Sequence, residues 1–155
     1  MTTLLYRSAA AWTAIGLAGG LFYREFTRAH DVAGGTQLAV VHTHALTLGS
    51  LGMLLLLVLD VTFRLSGRRS FTAAVHAWNT GLLITVGGLL VKGCLQVMDS
   101  PHAASKALAG FSGLGHMTLT AAFILLFVAL APAVRTYADQ RPTEAARESS
   151  PTPAA

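Results

Sequence analysis

The stretch VVHTHALTLGSLGMLLLLVLD, Val40 to Asp60, decides how the whole chain is read. Beyond its first five residues it is apolar and shows no strand-like alternation. At ~1.5 Å per residue it is long enough to belong to a helix crossing ~30 Å of hydrocarbon. Hydrocarbon offers nothing to backbone N–H and C=O groups, so a segment of this kind must satisfy them within a helix. Two imidazoles, His42 and His44, nevertheless stand at its head.

Working outward, apolar blocks run from Leu4 to Tyr23, Leu38 to Phe63, Phe71 to Val97 and Ala107 to Val134. With 53% hydrophobic and 12% charged residues among 155, the composition is not that of a soluble domain. The expectation is an all-α, integral membrane four-helix bundle over residues 1–134. A polar tail, 135–155, is rich in Pro, Ser and Ala and should be disordered. The first block has only Arg7 as a basic flank and no clear cleavage site, so it reads as a span and not as a signal peptide.

The net charge of +4 would suggest nucleic acid in a soluble protein; in a membrane chain it reports topology instead. Four spans put seven basic residues (Arg7, Arg64, Arg68, Arg69, Arg135, Arg141 and Arg147) on one side. Four others, Arg24, Arg28, Lys92 and Lys106, fall at or near the other. Both termini and the loop RLSGRRS are therefore expected in the cytoplasm. Cys94, the only cysteine, lies inside the third block, which excludes an intrachain disulfide. No C-x-x-C-H for covalent haem attachment occurs.

Helices in lipid associate through close packing, so small residues mark contact faces. The first block has Gly16 and Gly20 four apart, and the second has Gly49, Ser50 and Gly52. In the third, Gly81, Thr85, Gly88, Lys92 and Gln96 form a small-to-polar stripe; in the fourth, Ala109, Ser112, Gly113, His116 and Thr120 share a face. Such stripes mean helix packing, a homo-oligomer contact, or room for something flat. The fourth favours the last, because its small residues surround a histidine.

His30 and His102 fall in the loops, and His76 near the start of its span, where interfacial water is in reach. His42, His44 and His116 lie deeper. An ionisable ring at that depth is costly and marks a functional site facing the bundle interior. Counting ~1.5 Å per residue puts His42 and His44 roughly 6–9 Å, and His116 roughly 13 Å, below the same membrane surface. Residues two apart on a helix point ~200° apart, so His42 and His44 cannot chelate one ion from one face. No i,i+4 histidine pair and no inward carboxylate accompanies them, which serves a four-ligand Zn²⁺ or Cu site poorly. A porphyrin iron needs only one or two axial ligands from opposing helices. Either His42 or His44 facing His116 would supply them, with Arg24, Arg28 and Lys92 as cations for the propionates.

The segments FYREFTRAHDVAGGTQLAVVHTHALTLGSLG (residues 22–52) and KALAGFSGLGHMTLT (residues 106–120) resemble a family of small four-span bacterial membrane proteins known only as a domain of unknown function. That resemblance covers most of residues 1–134 and implies a multi-pass protein of the bacterial inner membrane. V-x-H-x-H at Val40–His44 is more distantly similar to a histidine-bearing helix of the haem–copper oxidase catalytic subunit. There, paired histidines face opposite ways toward two haem irons. The resemblance implies a haem for each of His42 and His44, with His116 as a facing ligand. The further histidines of a copper centre and a suitably placed tyrosine are missing.

These readings converge on a membrane haem b protein carrying one haem, or two, per chain. Its metal-binding residues would be His42, His44 and His116, and its role electron transfer, from an electron donor or quinol, or binding of a diatomic gas. The competing expectations are a cofactor-free structural or accessory subunit, and a Cu- or Zn-binding or proton-coupled membrane protein. Whether the chain is an enzyme is not legible in it.

Overall fold

The computed structural model describes residues 1–148, and they fold into four long helices. These are α1 (Thr2–Ala29), α2 (Gln37–Phe63), α3 (Arg69–Val97) and α4 (Lys106–Glu148). α2, α3 and α4 are long and apolar enough to cross a membrane. α1 has the length, but its middle is Ala, Gly and Thr where the others carry Leu, Val and Ile, and it falls short on apolarity. The outward surface of the helices is itself apolar, with Leu17, Leu55, Val61, Leu83, Ile124 and Phe127 all exposed. A soluble monomer does not carry apolar surface on that scale. The described residues are helical throughout their long segments, and three of those helices could span a membrane.

The helix ends follow from local chemistry. α1, α2 and α3 each terminate at a residue of positive φ, Asp31 (52°), Arg64 (51°) and Asp99 (50°). The left-handed turn lets the next N–H groups reach back to the last carbonyls: Val32 N–H to Thr27 O, Ser100 N–H to Leu95 O. α4 starts behind Ser105, whose Oγ accepts from Leu108 N–H at 3.4 Å. It then continues to Glu148, past Val134 where the apolar run stops and into the residues expected to be unstructured. Ala, Glu, Gln and Arg dominate that extension, and good helix formers prolong a helix already nucleated by packing. Residues 149–155 of the expected tail lie outside the described residues.

α2 is not uniform. It runs as a 3₁₀ turn (Gln37–Val40), one α turn (Val41–His44), a π-helical segment (Ala45–Leu51) and a second α stretch (Gly52–Phe63). Gly52 N–H reaches five residues back to Thr47 O, the wide ring of a π turn.

Glycines set how closely the helices approach. α1 lies on α2 through Gly16 against Leu46 and Gly49 against Trp12. α3 lies on α4 through Gly81 against Leu119, Gly115 against Thr85 and Gly88 against Ser112. The two pairs join where Gly93 of α3 meets the backbone of Leu38 in α2. Trp12 Nε1–H also donates to Asn79 Oδ1 at 3.0 Å, linking α1 to α3. The array does not close into a ring. α4 packs along α3 and meets α2 mainly through Gly52–Phe63, and it forms no interface of any extent with α1. An open cleft is left between α2 and α4, floored by α3.

Asp60, 3% exposed, does not pair with Arg64 as i,i+4 spacing suggests. Arg64 occupies the left-handed terminal position and is exposed. Asp60 Oδ2 instead accepts from Ser66 Oγ at 2.5 Å and from Thr2 Oγ1 at 3.5 Å, tying the start of α1 to the α2–α3 turn. Ser66→Ala leaves a buried carboxyl oxygen without its closest donor. Unfolding of the purified variant in detergent is expected to show a loss of about 1–3 kcal/mol. An unchanged midpoint would mean that Thr2 or solvent replaces the bond.

Candidate functional site

The rings singled out in the sequence do not all meet. His42 points at α1: its Cβ and Cγ lie 3.6 and 3.7 Å from where a Cβ on Gly20 would stand. Its Nδ1 is buried with no hydrogen-bond partner, and its Nε2 lies 3.4 Å from Thr43 Oγ1. His44, two residues on, is turned away from that contact. It is half-buried, and its Nδ1 lies 2.9 Å from Val40 O. His116 on α4 is exposed, with Nδ1 2.8 Å from Ser112 O. A carbonyl can only accept, so in each neutral ring Nδ1 carries the proton and Nε2 keeps its lone pair free.

His44 belongs to α2 and His116 to α4, the two helices that pack on α3 from different sides. Trp78 of α3 reaches each neighbour: its Nε1–H donates to Leu48 O at 2.9 Å, and its ring lies 4.4 Å from that of Phe123. His44 stands about one turn above Leu48 on α2, and His116 two turns above Phe123 on α4, toward the same end. Their heights agree as well. Gly115, beside His116, packs on Thr85 of α3. His44 lies midway between Leu38, which meets Gly93, and Leu48, which meets Trp78. That midpoint is again close to Thr85. By helical rise alone, His44 on α2 and His116 on α4 fall within about one turn of the same level, both above the contact of Trp78 with Leu48 and Phe123.

The expectation of a ring sealed inside the bundle does not hold for His116. The physical reason is that, among the described residues, α4 packs extensively on α3 alone, touching α2 mainly near Gly52–Phe63 and scarcely meeting α1. The small-residue stripe of α4 divides accordingly. Ser112 turns inward against Gly88, while Ala109, Gly113, His116 and Thr120 are exposed, with open space beside Gly113. Thr120 satisfies its hydroxyl on His116 O at 2.9 Å, so it makes no claim on the ring.

The cations separate in the same way. Arg24 pairs with Glu25 at 3.2 Å and is exposed on α1, as is Arg28. Half-buried Lys92 lies one turn beyond Gly88 on α3, the helix that floors the cleft. His30 and His102 are exposed at the loops, and His76 is exposed on α3. His30 makes the same Nδ1 contact, to Phe26 O at 2.9 Å, but its ring packs on Phe26 outside the cleft. An apolar groove of about 400 Å³ lies between α1 and α3, lined by Ile15, Phe22, Val41, Leu90 and Cys94 among others. No histidine lines it, so it is separate from the imidazole chemistry.

Among the described residues no three His, Cys, Asp or Glu side chains come together as a metal-binding group. A compact Zn²⁺ site, which wants four protein ligands, has no donor set here. Trp78 and Phe123 belong to no motif; the signal for Trp78 is an indole N–H in an apolar span, which must find an acceptor, and Phe123 carries none of its own.

The described residues form an all-helical bundle with three helices fit to cross a membrane, and it carries imidazoles on α2 and α4. The chain belongs to the family of proteins of unknown function DUF2871, whose model matches residues 1–133. No curated protein and no solved structure matches it.

Proposed function

We propose that this protein is a membrane haem b protein that holds one haem between His44 and His116 and serves electron transfer. The observation that carries the reading is the pair itself. His44 on α2 and His116 on α4 each direct Nδ1 to a backbone carbonyl, which leaves Nε2 for a metal. Iron-ligating histidines are commonly oriented by such a bond, which fixes tautomer and ring plane and raises the basicity of the ligating nitrogen. The cleft adds room for a flat group at Ala109 and Gly113 and an aromatic end wall at Trp78 and Phe123. Lys92 would meet a propionate, with Arg24 and Arg28 on the far side of α2.

Haem bound there would supply a one-electron iron couple, with His44 and His116 as the residues that would hold it. His42 belongs to the α1–α2 contact in this reading. The distant likeness to the haem–copper oxidase core rests on V-x-H-x-H alone, and oxygen reduction is not part of the proposal. We further propose that α1 spans with the other three helices and that both termini face the cytoplasm of a bacterial cell, which sets the cleft in the outer half of the inner membrane.

The test is an absorption spectrum of protein purified in detergent from haem-replete cells. A Soret band, a sharp reduced α band and no response to CO are expected. A colourless preparation overturns the reading. It would favour a structural subunit whose exposed His116 face meets a second copy or another membrane protein, and metal analysis of the same sample would expose a Cu or Zn binder.

A further inference from the structure

The π-helical segment begins at Ala45, directly after His44, and ends at Leu51. A π turn uses nearly one residue more than an α turn, so its presence rotates His44 about the α2 axis relative to Gly52–Phe63. If the seven residues reverted to α geometry, His44 would swing away from its present wall by a large fraction of a turn. Something must hold the wider form. Around it the structure has Gly49 against Trp12, Thr13 Oγ1 and Ser50 Oγ sharing a 2.6 Å hydrogen bond, and the Trp78 contact at Leu48. The first two come from α1 and bear on the side away from the cleft.

Trp78 is the contact on the cleft side. It is 5% exposed and sits where α2, α3 and α4 come together. Its N–H takes a carbonyl from inside the π segment, its ring lies 4.4 Å from Phe123, and its Cζ2 is 3.1 Å from where a Cβ on Gly52 would stand. One side chain thus touches both α2 and α4, the helices that carry His44 and His116. We infer that Trp78 is the positioning residue of the imidazole pair. Through Leu48 O it fixes the rotation of His44, and through Phe123 it fixes the distance at which α4 presents His116. This inference rests on the haem reading and adds to it the element that makes the iron six-coordinate.

The experiment uses Trp78→Phe in the full chain, purified with its pigment. The variant keeps an aromatic ring against Phe123 and loses only the N–H. Haem content is expected to stay within about twofold of the parent, since both ligands remain. Part of the spectrum should shift from low-spin six-coordinate to high-spin, and the reduced form should become several-fold more reactive to CO. A role confined to stability would lower the melting temperature without moving the spin state or the CO response. A pigmented parent with a spectrally unchanged Trp78→Phe overturns the positioning role alone and leaves the haem reading intact. A colourless parent overturns both. Should Trp78→Phe fail to accumulate, Phe123→Leu tests the same bridge from α4, and an unchanged spectrum there is equally decisive against it.

Discussion

His116→Ala is expected to remove the pigment, lowering haem per protein by at least about tenfold, while the polypeptide remains in the membrane. The separation of the two effects follows from the geometry. His116 is exposed, while Gly115, Ser112 and Leu119 on the neighbouring face pack against α3. Its loss therefore removes a ligand without opening a cavity. His44→Ala should do the same from the other wall. His42→Ala should not: it leaves the cleft untouched and vacates space against Gly20, so the spectrum should persist while stability falls. Parallel spectra and melting curves of the three variants check this. Equal pigment loss in His42→Ala and His44→Ala would place the iron elsewhere, and full pigment in His116→Ala would end the two-imidazole scheme.

Much of this arrangement was legible in the sequence. Four apolar blocks give four helices because hydrocarbon permits little else, and the small residues at Gly16, Gly49, Gly81 and Gly88 do mark where helices touch. The spacing of two between His42 and His44 requires opposite directions, and His42 indeed meets α1 while His44 is turned from it. Spacing cannot say which ring faces which neighbour, because that depends on how the spans are arranged around one another. The opening between α1 and α4, and with it the exposure of His116, is a property of that arrangement. The π segment was equally hidden: ALTLGSL carries no local mark of a wide turn, which exists through contacts to Trp12, Thr13 and Trp78 that lie far away in the chain. Asp60 illustrates the same limit. Its i,i+4 partner was displaced because Arg64 is needed to turn the chain, and a turn residue cannot also hold a helical side-chain geometry.

The second large effect concerns the glycines and needs no cofactor. Gly93→Ala should destabilise the fold by about 1–3 kcal/mol or more, because the added methyl meets the backbone of Leu38 and not a side chain that can swing aside. Gly115→Ala should behave alike: its methyl would stand 2.9 Å from Thr85 N and 3.1 Å from Gly81 O, forcing α4 off α3. In that variant the neighbouring His116 moves with the helix, so pigment and stability should fall together, unlike in His116→Ala. Gly110 provides the control. It belongs to the same helix as Gly115 and has nothing within 4 Å of an added Cβ. Replacing glycine by alanine at an open helical position removes backbone freedom at no steric cost, so Gly110→Ala should be neutral or stabilising by up to ~1 kcal/mol. Equilibrium unfolding of the three variants in one detergent distinguishes the cases. If Gly93→Ala and Gly115→Ala were as stable as Gly110→Ala, α2, α3 and α4 would not approach as closely as the cleft requires. The packing of α3 between α2 and α4, on which the proposed haem site depends, would then lose its basis.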